Sequence, residues 1–348
     1  MAKCLVTGGA GFMGAHVART LLERGHEVVV LDDMSGGFPA NVPSEAKLIE
    51  GSITDDSLIS GVFSAERFDY VYHLAAYAAE GLSHFIKRFN YLNNVIGSVT
   101  LINAAVNHDV GCFVFTSSIA VYGAGQLPMV ESLLPEPEDS YGIAKYAVEQ
   151  ELAVSKAMFD LDYVIFRPHN VYGELQNIGD RYRNVLGIFM NQILNGQPLS
   201  IFGDGEQTRA FSYIRDIVPT IAVAPEVEDA RCKIFNVGAD VPYTVNHLAE
   251  TVKDAMGVPD HPIRYLDARS EVKHAFSDHA KAQRTFEPQT STPLEEGVGR
   301  MAEWVNHHGP QPPSRFSNIE IERNLPAFWL EEAPLAPRIG SDPSRSSD

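Results

Sequence analysis

Tyr141 and Lys145, in the string Ser140-Tyr141-Gly142-Ile143-Ala144-Lys145, stand four residues apart. Four residues is about one helical turn, so on a helix the two side chains share a face. An ammonium held beside a phenol favours the phenolate and draws the tyrosine pKa towards the working pH. Such a pair can move a proton while a neighbouring redox cofactor moves a hydride. A lone Tyr-x-x-x-Lys arises often by chance. Here it lies downstream of Ser117-Ser118 and of a glycine-rich run near the start of the chain, and that order gives it meaning.

The run is Thr7-Gly8-Gly9-Ala10-Gly11-Phe12-Met13-Gly14, preceded by the strand-like Lys3-Cys4-Leu5-Val6-Thr7 and followed by a helical stretch. In that setting Gly8 permits a tight turn and Gly11 lets the backbone approach a pyrophosphate at the helix N-terminus. Gly14 lets helix and strand pack closely, while Phe12 and Met13 open the helix beside the cofactor. Asp32 and Asp33 end the next strand, about twenty residues on. A carboxylate there accepts hydrogen bonds from ribose hydroxyls and repels a 2′-phosphate, so NAD is expected rather than NADP. Asp32 is the favoured partner, since Asp33 also reads as a turn former ahead of Ser35-Gly36-Gly37.

Elements that would position these groups follow from the apolar pattern. Strands are expected at Lys3–Val6, Glu27–Leu31, Lys47–Glu50, Tyr70–Leu74, Cys112–Thr116 and Tyr163–Arg167, with helices near 12–24, 56–64, 91–108 and 142–159. This β-α-β rhythm implies an α/β fold with a doubly wound parallel Rossmann sheet. Asp55-Asp56-Ser57 looks like a capped helix start. After about residue 168 the rhythm loosens. Helices near 184–195, 214–224, 244–256 and 293–306 are separated by strands around Leu199–Phe202 and Lys233–Val237. The expected organisation is an NAD-binding domain over 1–168, to which later segments return. A substrate lobe over 169–310 and an arm with a disordered tail over 311–348 complete it.

The chain has 348 residues and a net charge of −18. That balance argues against nucleic acid, whose backbone demands a basic surface, but allows a phosphorylated small molecule clamped by local arginines. No apolar run reaches the ~18 residues that span a bilayer. Residues 1–7 run straight into a strand, leaving no room for a signal peptide. Cys4, Cys112 and Cys232 are scattered and fit neither a zinc pattern nor a disulfide framework, so no metal and a cytoplasmic location are expected.

Taken with the motifs His73-Leu74-Ala75-Ala76, Asn93-Asn94-Val95, Thr116-Ser117-Ser118-Ile119-Ala120-Val121-Tyr122-Gly123, Arg167-Pro168-His169-Asn170-Val171-Tyr172-Gly173 and Gly203-Asp204-Gly205, the sequence resembles an extended short-chain dehydrogenase/reductase. Within that group it is similar to NAD-dependent nucleotide-sugar 4-epimerases. The resemblance runs from Lys3 to about Trp304. It implies that Ser118 hydrogen-bonds the sugar O4, that Tyr141 is the acid/base, and that Lys145 holds the nicotinamide ribose and the tyrosinate. It further implies that Leu74, Ala75, Ala76 and Asn94 line the cofactor and that Ile53 sits by the adenine. Asn170 would meet the substrate diphosphate, with Arg209 and Arg269 clamping phosphate. Ser52 stands where the family commonly has an acidic residue, so one adenine contact is lost or passes to its hydroxyl. His169 replaces a more usual aromatic, and its plainer reading is a packed core histidine. Tyr77 and Ala78 replace a cationic stretch seen in some galactose epimerases.

Dehydratases of the family carry Asp-Glu where this chain has Ile119-Ala120, and uronate decarboxylases carry a glutamate at the Ala120 position. Without those carboxylates a 4-keto intermediate has one simple fate, return of the hydride to its other face. The expected reaction is C4 epimerisation of a UDP-sugar of the UDP-glucose/UDP-galactose type. An alternative is UDP-glucuronate, with Arg181 or Arg183 pairing the C6 carboxylate. A third reading, a dinucleotide-binding sensor without turnover, is disfavoured because Ser118, Tyr141 and Lys145 are all present. The family commonly dimerises through the helices carrying Asn94 and Tyr141. Val95, Val99, Ile102 and Val106 form a stripe compatible with a homodimer or with packing on the sheet.

Overall fold

Seven apolar, β-branched runs pair in parallel to build the central sheet: Lys3–Thr7 (β1), Glu27–Asp32 (β2), Lys47–Glu50 (β3), Tyr70–His73 (β4), Cys112–Thr116 (β5), Tyr163–Pro168 (β6) and Lys233–Val237 (β7). Their order is β7-β6-β5-β4-β1-β2-β3. The chain winds outward from β1 in both directions, which opens a crevice at the strands' carboxyl ends between β1 and β4. This computed structural model describes residues 1–268, 272–287 and 291–330.

Both sheet faces are covered. Helices Phe12–Glu23 (α1) and Ile214–Val223 pack on one face through Val17, Leu21, Ile217 and Ile221. Asp56–Glu66, Gly97–Asn107 and Ser140–Phe159 (the tyrosine helix) cover the other through Phe63, Leu101, Val148 and Leu152. Asp55 caps its helix by accepting from the Leu58 amide. The tyrosine helix is capped by Asp139, which accepts from the Gly142 amide at 2.8 Å. A Cβ at Gly142 would lie 2.5 Å from the Ala120 carbonyl oxygen. Only glycine lets this helix approach the turn that carries Ser118.

A buried polar network fixes the same helix to the sheet. Glu149 accepts from Arg167 Nε at 2.9 Å and pairs with its Nη2, with both side chains almost fully buried. Ser117 donates to Glu149 at 2.5 Å. The Arg167 guanidinium lies 4.6 Å from the Tyr122 ring centroid, and the Tyr122 hydroxyl donates to Asn236 at 2.8 Å. Helix, β5, β6, β7 and the serine turn are thereby tied at one place.

Beyond β6 the chain forms short paired strands, of which the sequence pattern announced only Leu199–Phe202. Thr208–Ala210 pairs with Pro242–Thr244 and His274–Ala275, Val171–Tyr172 with Ser212–Tyr213, and Leu199–Phe202 with Ile263–Leu266. Each is only two to four residues long and is specified by a distant partner rather than by local alternation. The helix expected near 91–108 begins earlier, at Lys87–Tyr91, and contains a π turn over Leu92–Ile96. Of the proposed stripe, Ile102 is buried in the core. Leu92 and Ile96 are the exposed apolar residues there, with Ile143 on the tyrosine helix. Among the described residues, no helix is long and apolar enough to cross a membrane.

Removing one partner of a buried ion pair strands the other charge. Glu149→Ala is therefore expected to lower unfolding stability by about 3–5 kcal/mol. The double substitution Glu149→Leu/Arg167→Met should recover most of that loss. Urea unfolding of both variants checks this, and a single variant within about 1 kcal/mol of the parent would remove the pair from its structural role.

Candidate active site

A single cavity of about 840 Å³ runs along the crevice. At one end it meets Gly8, Gly11, Phe12, Met13 and Gly14. Gly8 has φ +70°, and a Cβ at Gly14 would lie 2.1 Å from the Gly8 carbonyl oxygen. The turn therefore folds tightly under α1. Gly11 caps this helix with no side-chain acceptor, which leaves backbone donors directed at the crevice. Asp32 and Asp33 line the same end. Asp32 accepts from the amides of Ala10 (3.0 Å) and Met34 (2.9 Å), and burial raises its pKa. Asp33 accepts from the Ser35 amide at 2.9 Å and so closes the turn. Ile53, Leu74, Ala75 and Ala76 line the wall. These features fit a dinucleotide: a cradle that any Cβ would fill, unpaired helix donors and a ribose-height carboxylate.

Ser118, Tyr141 and Lys145 meet further along. The Ser118 hydroxyl accepts from the Ala120 amide at 3.1 Å and stands close enough to the Tyr141 phenol to favour its ionised form. Lys145 Nζ donates to the Thr116 carbonyl at 2.8 Å and lies 5.7 Å from the Tyr141 ring centroid. Burial drives the Lys145 pKa down to about 7 against the pull of Glu149. Burial likewise pushes the Tyr141 phenol well above its ordinary value, and Ser118 offsets only part of this. The expected lowering of the tyrosine by Lys145 is thus not met in the protein alone. Desolvation dominates at the phenol, and the same burial favours the neutral amine of Lys145 and so removes much of the charge that would act on it. Thr116 Oγ1 is buried in the cavity wall with no hydrogen-bond partner.

Several expected residues sit elsewhere. Asn94 does not line the cavity. It clamps the loop after β4, accepting from the Tyr77 amide (2.9 Å) and donating to its carbonyl (3.1 Å), while its neighbour Asn93 reaches the lining. Ser52 is outside the lining and hydrogen-bonds Thr54 at 2.9 Å. Arg181 is also outside it. Its Nη2 donates to the Phe328 carbonyl at 2.8 Å. Arg183 does line the cavity, paired with Asp180 at 2.6 Å and lying over the Tyr77 ring. Asn170 and Arg209 line the opposite end. Asn170 donates to the Ala210 carbonyl at 3.2 Å, and Arg209 donates to the carbonyls of Lys273 and Val272. Arg269 lies outside the described residues. The sequence reading missed Gln176, whose buried amide lines the cavity with neither atom hydrogen-bonded. It also missed Ser314–Asn318, which close one side. The Gln176 position, just after Gly173, was the available signal.

His169 lines the cavity as well, yet both its nitrogens are engaged. Nδ1 is 2.9 Å from the Ala210 carbonyl, and Nε2 is 3.0 Å from His279 Nε2. His279 Nδ1 is in turn 2.6 Å from Asp240. His279 Nε2 also lies 3.0 Å from the Ser277 hydroxyl. Burial, and then His279 beside it, hold the His169 pKa down to about 4, so His169 is a neutral, packed imidazole.

Residues 4–238 match the model of the NAD dependent epimerase/dehydratase family. The chain belongs to that family. Its cofactor is NAD. As an epimerase/dehydratase chain it is 31% identical over 312 residues to the UDP-glucose 4-epimerase of Mycolicibacterium smegmatis, a match covering 88% of this chain and 99% of the relative. The UDP-glucose 4-epimerase of Thermotoga maritima, solved with UDP-glucose, superposes with a TM-score of 0.82 at 33% identity, covering 88% and 99% of the two chains. The UDP-glucuronic acid 4-epimerase of Bacillus cereus, solved with UDP-glucuronic acid and NAD, does so with a TM-score of 0.80 at 28% identity over 88% and 99%.

At Lys145 the folded protein binds fewer protons than the unfolded chain between about pH 7 and pH 10.5. The group therefore opposes folding fully below about 7 and not at all above 10.5. In cofactor-free protein, Lys145→Met should gain thermal stability relative to the parent as pH falls from 10 to 7, by roughly several degrees. Melting curves across that range check it, and a constant gap would contradict the burial argument.

Proposed function

We propose that this chain interconverts the C4 epimers of a UDP-sugar through a 4-keto intermediate, with neutral hexoses of the UDP-glucose/UDP-galactose type as substrates. The observation that carries this reading is the convergence of Ser118, Tyr141 and Lys145, with Lys145 Nζ 5.7 Å from the Tyr141 ring centroid, in a cavity whose other end bears the dinucleotide cradle. NAD, when bound, accepts a hydride from a carbinol carbon, returns it, and favours the phenolate by its positive charge. Tyr141 then takes the O4 proton and gives it back. Ser118 holds O4 in line with the phenol, and Lys145 anchors the ribose and the tyrosinate. Turning of the keto sugar between the two transfers exposes its other face.

No carboxylate stands at Ile119-Ala120, the position where dehydrating and decarboxylating members of the family carry one. Epimerisation is what remains for the keto sugar. The cavity's far end supplies Asn170 and Arg209 for the diphosphate. A hexuronate read by Arg181 has lost its carrier, since that guanidinium is turned to the Phe328 carbonyl. Arg183 reaches the cavity already neutralised by Asp180. These pairings favour the neutral sugar.

A homodimer belongs to the same reading. Leu92, Ile96 and Ile143 are exposed apolar side chains on the adjoining helices at residues 87–107 and 140–159, and a second copy would cover them. Light scattering should return about twice the chain mass. Recovery of monomer at micromolar concentration would count against the dimer alone.

Proton NMR of the purified protein with UDP-glucose, and separately with UDP-glucuronate, should show the C4 epimer of the neutral sugar appearing faster. Tyr141→Phe should slow that conversion by roughly 100- to 10,000-fold while leaving UDP binding in place. Turnover of the uronate alone would reverse the choice of sugar, and full activity of the Phe variant would remove Tyr141 from the chemistry.

A further inference from the structure

The 88% of this chain that superposes on the Thermotoga enzyme already accounts for 99% of that structure. About one eighth of the chain therefore lies outside the shared fold, and the residues after His308 amount to about that share. The described part of this stretch does not lie idly on the surface. Its Ser314 amide donates to the Gly179 carbonyl at 2.7 Å on the substrate lobe. Six residues later Glu320 accepts from the amides of Arg88 and Phe89, both at 2.8 Å, and caps the helix that starts at Lys87. Between these anchors the Phe316 ring packs edge-on against Phe89 at 4.8 Å and lies 5.4 Å from Tyr77. Trp329 is buried beyond them, against Phe85 and Tyr182.

The strap thus bridges the two sides of the crevice, and Ser314–Asn318 become part of the cavity wall. Its seat identifies which part of the cavity it closes. The segment beneath it, residues 77–89, contributes Ser83, whose hydroxyl accepts from the Tyr141 amide at 3.1 Å. It also contributes Glu80, which lines the cavity and whose charge is felt at the Tyr141 phenol. Asn170 and Arg209 are anchored instead on Ala210 and residues 272–273. The strap therefore stands at the reacting end.

We infer that the C-terminal strap is a specificity element, in which Arg315, Ser317 and Asn318 contact the hydroxyl groups of the sugar away from C4. Ser317 and Asn318 offer donors and acceptors that match a polyol, Arg315 stands beside them with its Nη2 donating to the Leu330 carbonyl at 3.3 Å, and Phe316 holds them in register. This inference rests on the epimerase reading for its substrate class.

The test compares Arg315→Ala, Asn318→Ala and Phe316→Ala in the full chain. KM for the preferred UDP-sugar, inhibition by UDP, NAD content and melting temperature are measured for each. The expected result is a rise in KM of about tenfold, matching the loss of one to two good hydrogen bonds. UDP inhibition should change less than about twofold, and NAD content should stay at the parent level. Arg315 and Asn318 are exposed, so their variants stay folded even if Phe316→Ala does not. Unchanged KM in the Arg315 and Asn318 variants would overturn the proposal, as would equal rises in KM and in the UDP inhibition constant. Loss of NAD at constant KM would overturn it too. If the parent turns over no UDP-sugar, the epimerase reading fails by itself. Calorimetric binding of UDP-glucose against UDP then decides the role of the strap by the same comparison.

Discussion

The Glu149–Arg167 pair is the constraint on which the geometry of the site depends. Tyr141, Lys145 and Glu149 follow one another at intervals of four along one helix, so fixing Glu149 fixes the face that the other two present. Arg167 fixes it from β6, and Ser117 joins from the strand end next to Ser118. Removing two charges from water is costly, and the compensation here comes from geometry: paired nitrogens on Glu149, and an aromatic face on Tyr122 for the rest of the guanidinium. An apolar contact would hold the helix as firmly. It would not set its rotation and height against the serine turn so narrowly, because hydrophobic attraction has no direction.

Desolvation governs the chemistry inside this frame. The outer surface is strongly acidic, yet the groups lining the crevice respond to burial more than to the distant field. Lysine and tyrosine are both displaced towards their neutral forms. The site stores the means to become charged rather than the charge itself, and a cationic partner arriving beside the phenol has more effect there than it would in water. His169 follows the same rule, since burial holds it neutral beside His279.

The central sheet was legible because each strand is a β-branched run long enough to carry its own signal, and the dinucleotide turn because glycine at Gly8 and Gly14 answers a steric demand visible in the spacing. The tyrosine and lysine followed from the helical period, and the serine from the family resemblance. What stayed hidden depends on tertiary context. Asn94 and Asn93 are adjacent, and only the path of the helix decides which faces the cavity and which clamps Tyr77. Two arginines two residues apart point to different partners, one of them supplied by an arm about 150 residues downstream. Apart from Leu199–Phe202, the short strands beyond β6 exist only as pairs, so no local pattern announces them. The arm was expected, but its docking was not legible, because its order comes from the aromatic cluster it completes with distant residues.

The π turn at Leu92–Ile96 has a consequence for how this chain can vary. A π turn is an α-helix carrying one residue more than its period allows, and each residue rotates a helix by about 100°. Deleting one residue there would restore regular winding with both flanks on the faces they already occupy, because the surplus is taken up within the turn. Asn90, which donates to the Ser140 carbonyl, and Phe89, which bears on the arm, would keep their partners. A deletion elsewhere in the same helix would instead turn one flank against the other by about 100° and part the tyrosine helix from the arm. The wide turn is thus the one stretch of this helix whose length can change by a residue without moving the site.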